Sequence, residues 1–262
     1  MIDNCYNIET LHFDNPAFKK VGLTVLITME DSNRRNQYMQ ELSQNRPTEK
    51  VVILHNKGFK KCPKKGVSST IQDLWHANQK AISLSENELP ILILEDDVEF
   101  LSNFRKYATQ IEEFFTMKRG ACSYNLGSHV LLSVPSSKSH IRVLLGGMNQ
   151  AVLYNAKALQ IMKSVKIGIV PHDLVLTRKI KTYVFKKALT FQKLIKTANS
   201  KAWNIGGIPL LIQKDMIGLG SSKKSFENSH FIASFGGMLP YMIGIILVLL
   251  YKMEYTKKLH SR

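Results

Sequence analysis

Apolar residues in this chain fall in short runs, and the spacing between the runs switches repeatedly from strand-like to helical. Val21–Ile27, Val51–Leu54, Ile91–Leu94, Ala121–Leu126 and Ala151–Tyr154 are mostly apolar and of strand length. Between them the period is helical. Tyr38, Met39 and Leu42 share a face of a helix that Asp31 or Ser32 can cap, and Pro47 closes that unit. Ile71, Leu74, Trp75, Asn78 and Ile82 share one side of a second helix, with Ser68, Ser69 or Thr70 as cap. Ser102 caps a third, carrying Phe104, Tyr107, Ile111 and Phe114, and Asn155 caps a fourth, with Leu159 and Met162. Pro171-His172-Asp173 opens a further helical stretch through Leu174 and Ile180, and Tyr183–Phe185 reads as a strand. Lys57–Gly66 is polar, basic and glycine-containing, hence a loop; Ser128–Gly147 reads as a long mixed loop. Strands alternating with helices predict an α/β domain over 1–200, with a mostly parallel central sheet and helices on both faces.

The pattern changes near Ser200. Residues 201–230, rich in Gly, Ser and Lys, read as a linker with one short strand at Ile208–Ile212. Phe231–Tyr251 holds no charged residue, about the length a helix needs to cross a bilayer. This predicts a C-terminal transmembrane helix over 231–251 and a basic tail over 252–262, with a buried core helix as the alternative. Cys5, Cys62 and Cys122 are scattered, lack metal-ligand spacing and argue against a disulfide framework. With no secretory signal visible, the expectation is a single-pass membrane protein whose soluble domain stays on the cytosolic side.

An apolar content of 44% allows a full core. The net charge of +16 attracts anions. The basic residues, including the run from Lys57 to Lys65, lack interleaved aromatics, so no specific nucleic acid is expected as partner. A solvated lysine-rich surface explains the charge equally well.

The chemistry concentrates in Ile91-Leu92-Ile93-Leu94-Glu95-Asp96-Asp97-Val98-Glu99-Phe100. A buried strand does not normally run into three acids, because each must be solvated, paired or bound to a cation. A strand that leaves the core there delivers them to the carboxyl edge of the sheet, where α/β folds bind ligands. Hard divalent ions take oxygen ligands, so the sharp reading is a metal and diphosphate site; the plain one is an acidic loop. Glu99 would follow on the same side as Asp97, with solvent exposure the simpler expectation. Thr28 and Arg34 sit where the first strand hands over to a helix, a good place for a nucleotide, although Arg34 and Arg35 also suit a solvated helix face.

The order of these motifs resembles glycosyltransferase family 25, of the lipopolysaccharide-biosynthesis type and the GT-A fold. The similar segments are Ile27–Arg35, the helix Ile71–Ile82 directly before the strand ending in Glu95-Asp96-Asp97, Leu126-Gly127, Gly146–Leu159, Pro171-His172-Asp173 and Ala188-Leu189-Thr190-Phe191-Gln192. The resemblance implies a metal-dependent transferase that moves a hexose from a nucleotide sugar, such as a UDP-hexose, to a hydroxyl of a glycan, lipid or protein. It implies Asp97 and Asp96 as ligands of Mn2+ or Mg2+, and Thr28, Arg34, Glu95 and Asp96 as donor-binding residues. Asp173 then serves as the base of an inverting transfer, with an ordinary helix cap as the other reading and His172 as a second candidate. At the family's Ser-His pair stands Asp73-Leu74, with His76 close by. That departure keeps open a catalytically inactive, membrane-tethered binding protein of the same fold. A metal-using nuclease or phosphodiesterase is a third class, without a second acid–histidine cluster to support it.

Overall fold

The computed structural model describes residues 4–85, 90–127, 129–147, 150–166 and 179–192, with 227, 230, 243, 244 and 248. Eleven strands and four helices lie among them. In chain order these are β1 (Tyr6–His12), β2 (Leu23–Met29), α1 (Arg35–Asn45), β3 (Lys50–Asn56), α2 (Thr70–Ser83), β4 (Ile91–Glu95), β5 (Val98–Phe100), α3 (Phe104–Thr116), β6 (Cys122–Asn125), β7 (His129–Pro135), β8 (His140–Gly147), β9 (Ala151–Tyr154), α4 (Ala156–Ser164), β10 (Lys181–Phe185) and β11 (Thr190–Gln192).

Nine strands form one sheet in the order β1-β3-β2-β4-β9-β6-β10-β8-β7, and β5 pairs with β11 in a small second sheet. Alternation along the central strands sends side chains to two cores. Leu92 and Leu94 of β4 pack with Tyr38 and Leu42 of α1 and Phe104, Ile111 and Phe115 of α3. Ile91 and Ile93 pack on the opposite face, with Trp75, Ala81 and Ile82 of α2 and Leu159 and Met162 of α4. β4 is thus buried on both faces, which requires the unbroken apolar run that its sequence shows.

The sheet is mixed, a correction to the mostly parallel one expected. Three pairings are parallel (β2–β3, β2–β4, β6–β10). Five are antiparallel (β1–β3, β4–β9, β6–β9, β8–β10, β7–β8). Two segments read as strandless account for much of this. Ser128–Gly147 is not a mixed loop but carries the β7–β8 hairpin, which turns through Ser136–Ser139. Its bulges near Leu132 break the period-two pattern that would have marked it as strand. β1 lies before the first expected element, and its mostly solvent-facing side chains leave no apolar run to see.

Two expected caps also differ. Asn103, not Ser102, precedes α3, and Arg34 precedes α1; neither makes a side-chain cap bond. Ser69 and Asn155 do cap, accepting from the backbone N–H groups of Gln72 and Ala158.

No helix among the described residues is long and apolar enough to cross a membrane. This corrects the expected transmembrane helix. Of the stretch 231–251, only Ile243, Gly244 and Val248 are described. The expected linker lies outside the described residues apart from Glu227 and His230.

The cysteines bring another correction. Cys5 and Cys62 form a disulfide with a Cα–Cα distance of 5.5 Å, which removes the unpaired-cysteine support for a cytosolic domain. Cys122 is free and buried, and burial pushes its thiol up to about 12.

Candidate functional site

β2, β3 and β4 run parallel, and β6 runs with them because it and β4 both pair antiparallel with β9. One sheet edge therefore collects the carboxyl ends of β2 and β4, the segment following β6, and Gln150 just before β9. The backbone ties these ends together: Glu95 N–H donates to the Gln150 carbonyl, and Leu126 N–H to that of Ala151, both at 2.9 Å.

Glu95 ends β4, and the turn Asp96–Asp97 leads into β5 of the second sheet. The two aspartates take different surroundings. Asp96 Oδ2 accepts from Thr28 Oγ1 and Ser32 Oγ, both at 2.7 Å, and Oδ1 accepts from Arg34 Nη1 at 2.8 Å. Three donors thus fix one carboxylate, and through it the loop between β2 and α1. The same Arg34 Nη1 lies 3.9 Å from Asp97 Oδ2, so one guanidinium serves both acids while staying 15% exposed. The solvated helix face considered for Arg34 gives way to this pairing. Ser32, expected as a cap, is instead turned toward Asp96.

Asp97 points inward and is only 3% exposed. β11, paired antiparallel with β5, brings Gln192 beside it, and Gln192 Nε2 donates to Asp97 Oδ2 at 2.9 Å. Burial pushes the Asp97 carboxyl up to about 6; the Asp96 charge adds to the rise, and the Gln192 bond and Arg34 oppose it. Glu99 is buried as well, not solvent-exposed as expected, because β5 lies between β11 and α1; Gln37 Nε2 donates to it at 3.2 Å.

Four buried polar atoms here have no hydrogen-bond partner among the described residues: Asp97 Oδ1, Gln192 Oε1, Gln150 Oε1 and Thr190 Oγ1. Such atoms are rare in folded proteins and mark places where water, an ion or a ligand belongs. Gln150 Nε2 is held by the Gly127 carbonyl at 2.5 Å, which leaves the amide oxygen unpaired. Gly127 is where only glycine fits. A Cβ there would run into the Thr190 carbonyl oxygen and stand 2.5 Å from Thr190 Oγ1 and 2.9 Å from Gln150 Nε2.

Asp97 Oδ1 and Gln192 Oε1 suit a hard divalent ion, which takes one or two carboxylates and fills its remaining positions from water and phosphate. Among the described residues no group of three or more His, Cys, Asp or Glu side chains is gathered for a metal. An ion here would therefore depend on oxygens supplied by its ligand.

Of the residues singled out from sequence, Thr28 and Arg34 both bond Asp96, Arg34 also approaches Asp97, and Glu95 adjoins the aspartates along the backbone. Asp173 and His172 lie outside the described residues. Asp73, which stands where the resemblance expects Ser-His, is structural: it accepts from Lys64 Nζ at 2.6 Å, Asn56 Nδ2 at 3.1 Å and Phe59 N–H at 3.2 Å. His76 is hydrogen-bonded to Tyr6 at 2.8 Å on the β1 side of the sheet. Gln150 and Gln37 carry no sequence signal, since lone glutamines in mixed segments follow no pattern, and the close approach at Gly127 depends on Thr190 from a distant segment.

No protein-family model and no curated protein matches the chain. Solved structures that align with it include a UDP-glucose pyrophosphorylase complexed with UDP-glucose, at 11% identity and a TM-score of 0.32. That alignment covers 43% of this chain and 53% of the other, so this chain spans about half of that protein. A197 from STIV aligns at 14% identity and a TM-score of 0.40, covering 64% and 81%. A putative glucose-1-phosphate thymidylyltransferase from Bacillus anthracis, in complex with a sucrose, aligns at 12% and 0.33, covering 77% and 78%. Likenesses this distant leave the chemistry of this chain to its own residues.

Proposed function

We propose that the chain is a nucleotide-sugar-dependent glycosyltransferase that takes a hexose from a donor such as UDP-glucose and passes it to a hydroxyl of a glycan, lipid or protein. The observation that carries this reading is the buried, unpartnered Asp97 Oδ1 beside Gln192 Oε1, next to an arginine held at the carboxyl edge of the sheet. Arg34 binds the donor diphosphate. Asp96, itself gripped by Thr28 and Ser32, keeps the guanidinium in place. Asp97 and Gln192 would hold Mn2+ or Mg2+, which when bound stabilises negative charge on the departing diphosphate. Gln192 orients the Asp97 carboxylate, and the surrounding burial keeps water from competing for it. The family 25 resemblance supplies the remaining role: Asp173 takes the proton of the acceptor hydroxyl.

Calorimetry with UDP-glucose and Mn2+, paired with a radiolabel transfer assay, tests the reading. Binding that requires the metal, and transfer lost in Asp97→Ala and Arg34→Ala, is expected. Unchanged transfer after separate alanine replacement of Glu95, Asp96 and Asp97 would remove the site from the chemistry. A second reading, a protein that binds without transfer, is favoured by one observation: both oxygens of Asp96 are already engaged by protein donors. Metal-dependent donor binding without transfer to any acceptor supports it.

A further inference from the structure

The stretch Glu30–Arg35 faces two ways. Its inner side chains, Ser32 and Arg34, grip Asp96. Its outer ones reach two neighbouring segments. Asn7 Nδ2 of β1 donates to Glu30 Oε1 at 2.6 Å, and Arg35 makes a two-pronged pair with Glu9 of β1, each contact 2.8 Å. Lys61, in the loop after β3, pairs with Asp31 at 2.8 Å. Gly58 of that same loop packs against Met29, so closely that a Cβ would stand 2.9 Å from its terminal methyl. The disulfide Cys5–Cys62 joins these two outer segments to each other.

We propose that Cys5–Cys62 is a thiol–disulfide exchange site whose oxidation state sets the order of Glu30–Arg35, and so the readiness of Arg34 for an anionic donor. The outer contacts are exposed pairs, and such pairs hold weakly unless their partners are already fixed. β1 is held by its ladder with β3, and the disulfide adds a covalent tie between the start of β1 and the loop that carries Gly58 and Lys61. Cys62 is half-buried and open to attack, whereas Cys5 is buried. A dithiol reductant attacks through its thiolate at Cys62 Sγ, the Cys5–Cys62 bond breaks, and the electron pair leaves on Cys5 Sγ, which takes a proton. The second thiol of the reductant then displaces Cys62 from the mixed disulfide, leaving two protein thiols and a cyclic oxidised reductant. Cys122 does not scramble the pair, because it is buried on the other core and its thiol stays protonated.

The role in donor binding rests on the function proposed above; the ordering of the loop does not. Hydrogen exchange followed by mass spectrometry on the full chain, oxidised and after dithiothreitol, reads the loop directly. Amide protection in 30–35 is expected to fall about tenfold on reduction, with 91–95 unchanged. Alkylation before reduction is expected to label neither Cys5 nor Cys62. UDP-glucose affinity in Mn2+ should drop several-fold over the same change, as a preorganised loop loosens. Equal protection of 30–35 in the two states, or alkylation of both cysteines without reductant, overturns the proposal. UDP-glucose that binds neither state, with the exchange difference intact, instead counts against the donor reading alone. Cys5→Ser/Cys62→Ser should reproduce the reduced pattern. If that variant does not fold, Asn7→Ala/Lys61→Ala, which leaves the disulfide in place, is expected to loosen 30–35 without reductant, and full protection there overturns the coupling.

Discussion

Replacing Asp97 with Asn should stabilise the metal-free protein while disabling its site. The carboxyl titrates near 6 in the fold against an ordinary value of 3.8. That difference corresponds to about 3 kcal/mol of penalty for holding the ionised form in place. The sign follows from the direction of the shift. The folded state holds the proton more tightly than the unfolded chain, so this group favours folding fully below pH 3.8, and the benefit is gone once pH has risen through 6. At pH 7.5 the wild-type chain carries the whole penalty. Asn keeps the shape and an oxygen for Gln192 Nε2, and its amide N–H2 group can meet the unpaired Gln192 Oε1. The rise to about 6 already includes the favourable Gln192 bond to the carboxylate, so the net gain at pH 7.5 is the whole difference, about 3 kcal/mol. Urea unfolding followed by circular dichroism in EDTA, from pH 3.5 to 8, measures it. The two proteins should unfold together near pH 3.5 and separate as pH rises through 6. Mn2+ should raise the wild-type midpoint and leave that of Asp97→Asn unchanged. A variant that is equally or less stable at pH 7.5, with a difference independent of pH, refutes the picture of a buried carboxylate kept for a ligand.

Arg34→Lys should weaken UDP-glucose binding by roughly tenfold or more in calorimetry, because a single ammonium cannot hold Asp96 and a diphosphate in one fixed plane. Gly127→Ala forces a methyl against the Thr190 backbone, and a loss of about 1–3 kcal/mol in urea unfolding is expected, with β11 and Gln192 displaced from Asp97. His140 lies stacked on Phe114, with 3.9 Å between ring centroids, and shares a 2.7 Å hydrogen bond with Tyr124. Burial, with Lys118 nearby, holds its pKa down to about 4. Its contribution is intact above pH 6.5 and is lost as pH falls through 4, by up to about 3 kcal/mol; His140→Gln should flatten that part of the stability profile.

The elements legible in the sequence are those whose surroundings repeat. Ile91–Leu94 had to be a strand buried on both faces, because successive residues face different cores and both need apolar side chains. Ser69 and Asn155 were readable as caps because an N-cap bond spans only three residues. Asp31 and Ser32 look equally good as caps for α1. Long-range chemistry decided otherwise: Ser32 lies 64 positions from the Asp96 that takes its hydroxyl. The β7–β8 hairpin was hidden by its irregular register, and β1 by facing solvent.

Local sequence, then, determined the central strands, the four helices and the place where the acids follow β4, because side-chain burial and capping act over a few neighbouring residues. It did not determine strand direction, which depends on how each connection crosses the sheet and left five of eight pairings antiparallel in the main sheet. Nor did it tell the acids apart. Asp96 met Thr28, Ser32 and Arg34, while Asp97 met a glutamine 95 positions away and kept one oxygen unpaired. Adjacent residues of one type acquire different chemistry only from what the fold sets against them, and here the tertiary structure alone supplied those partners.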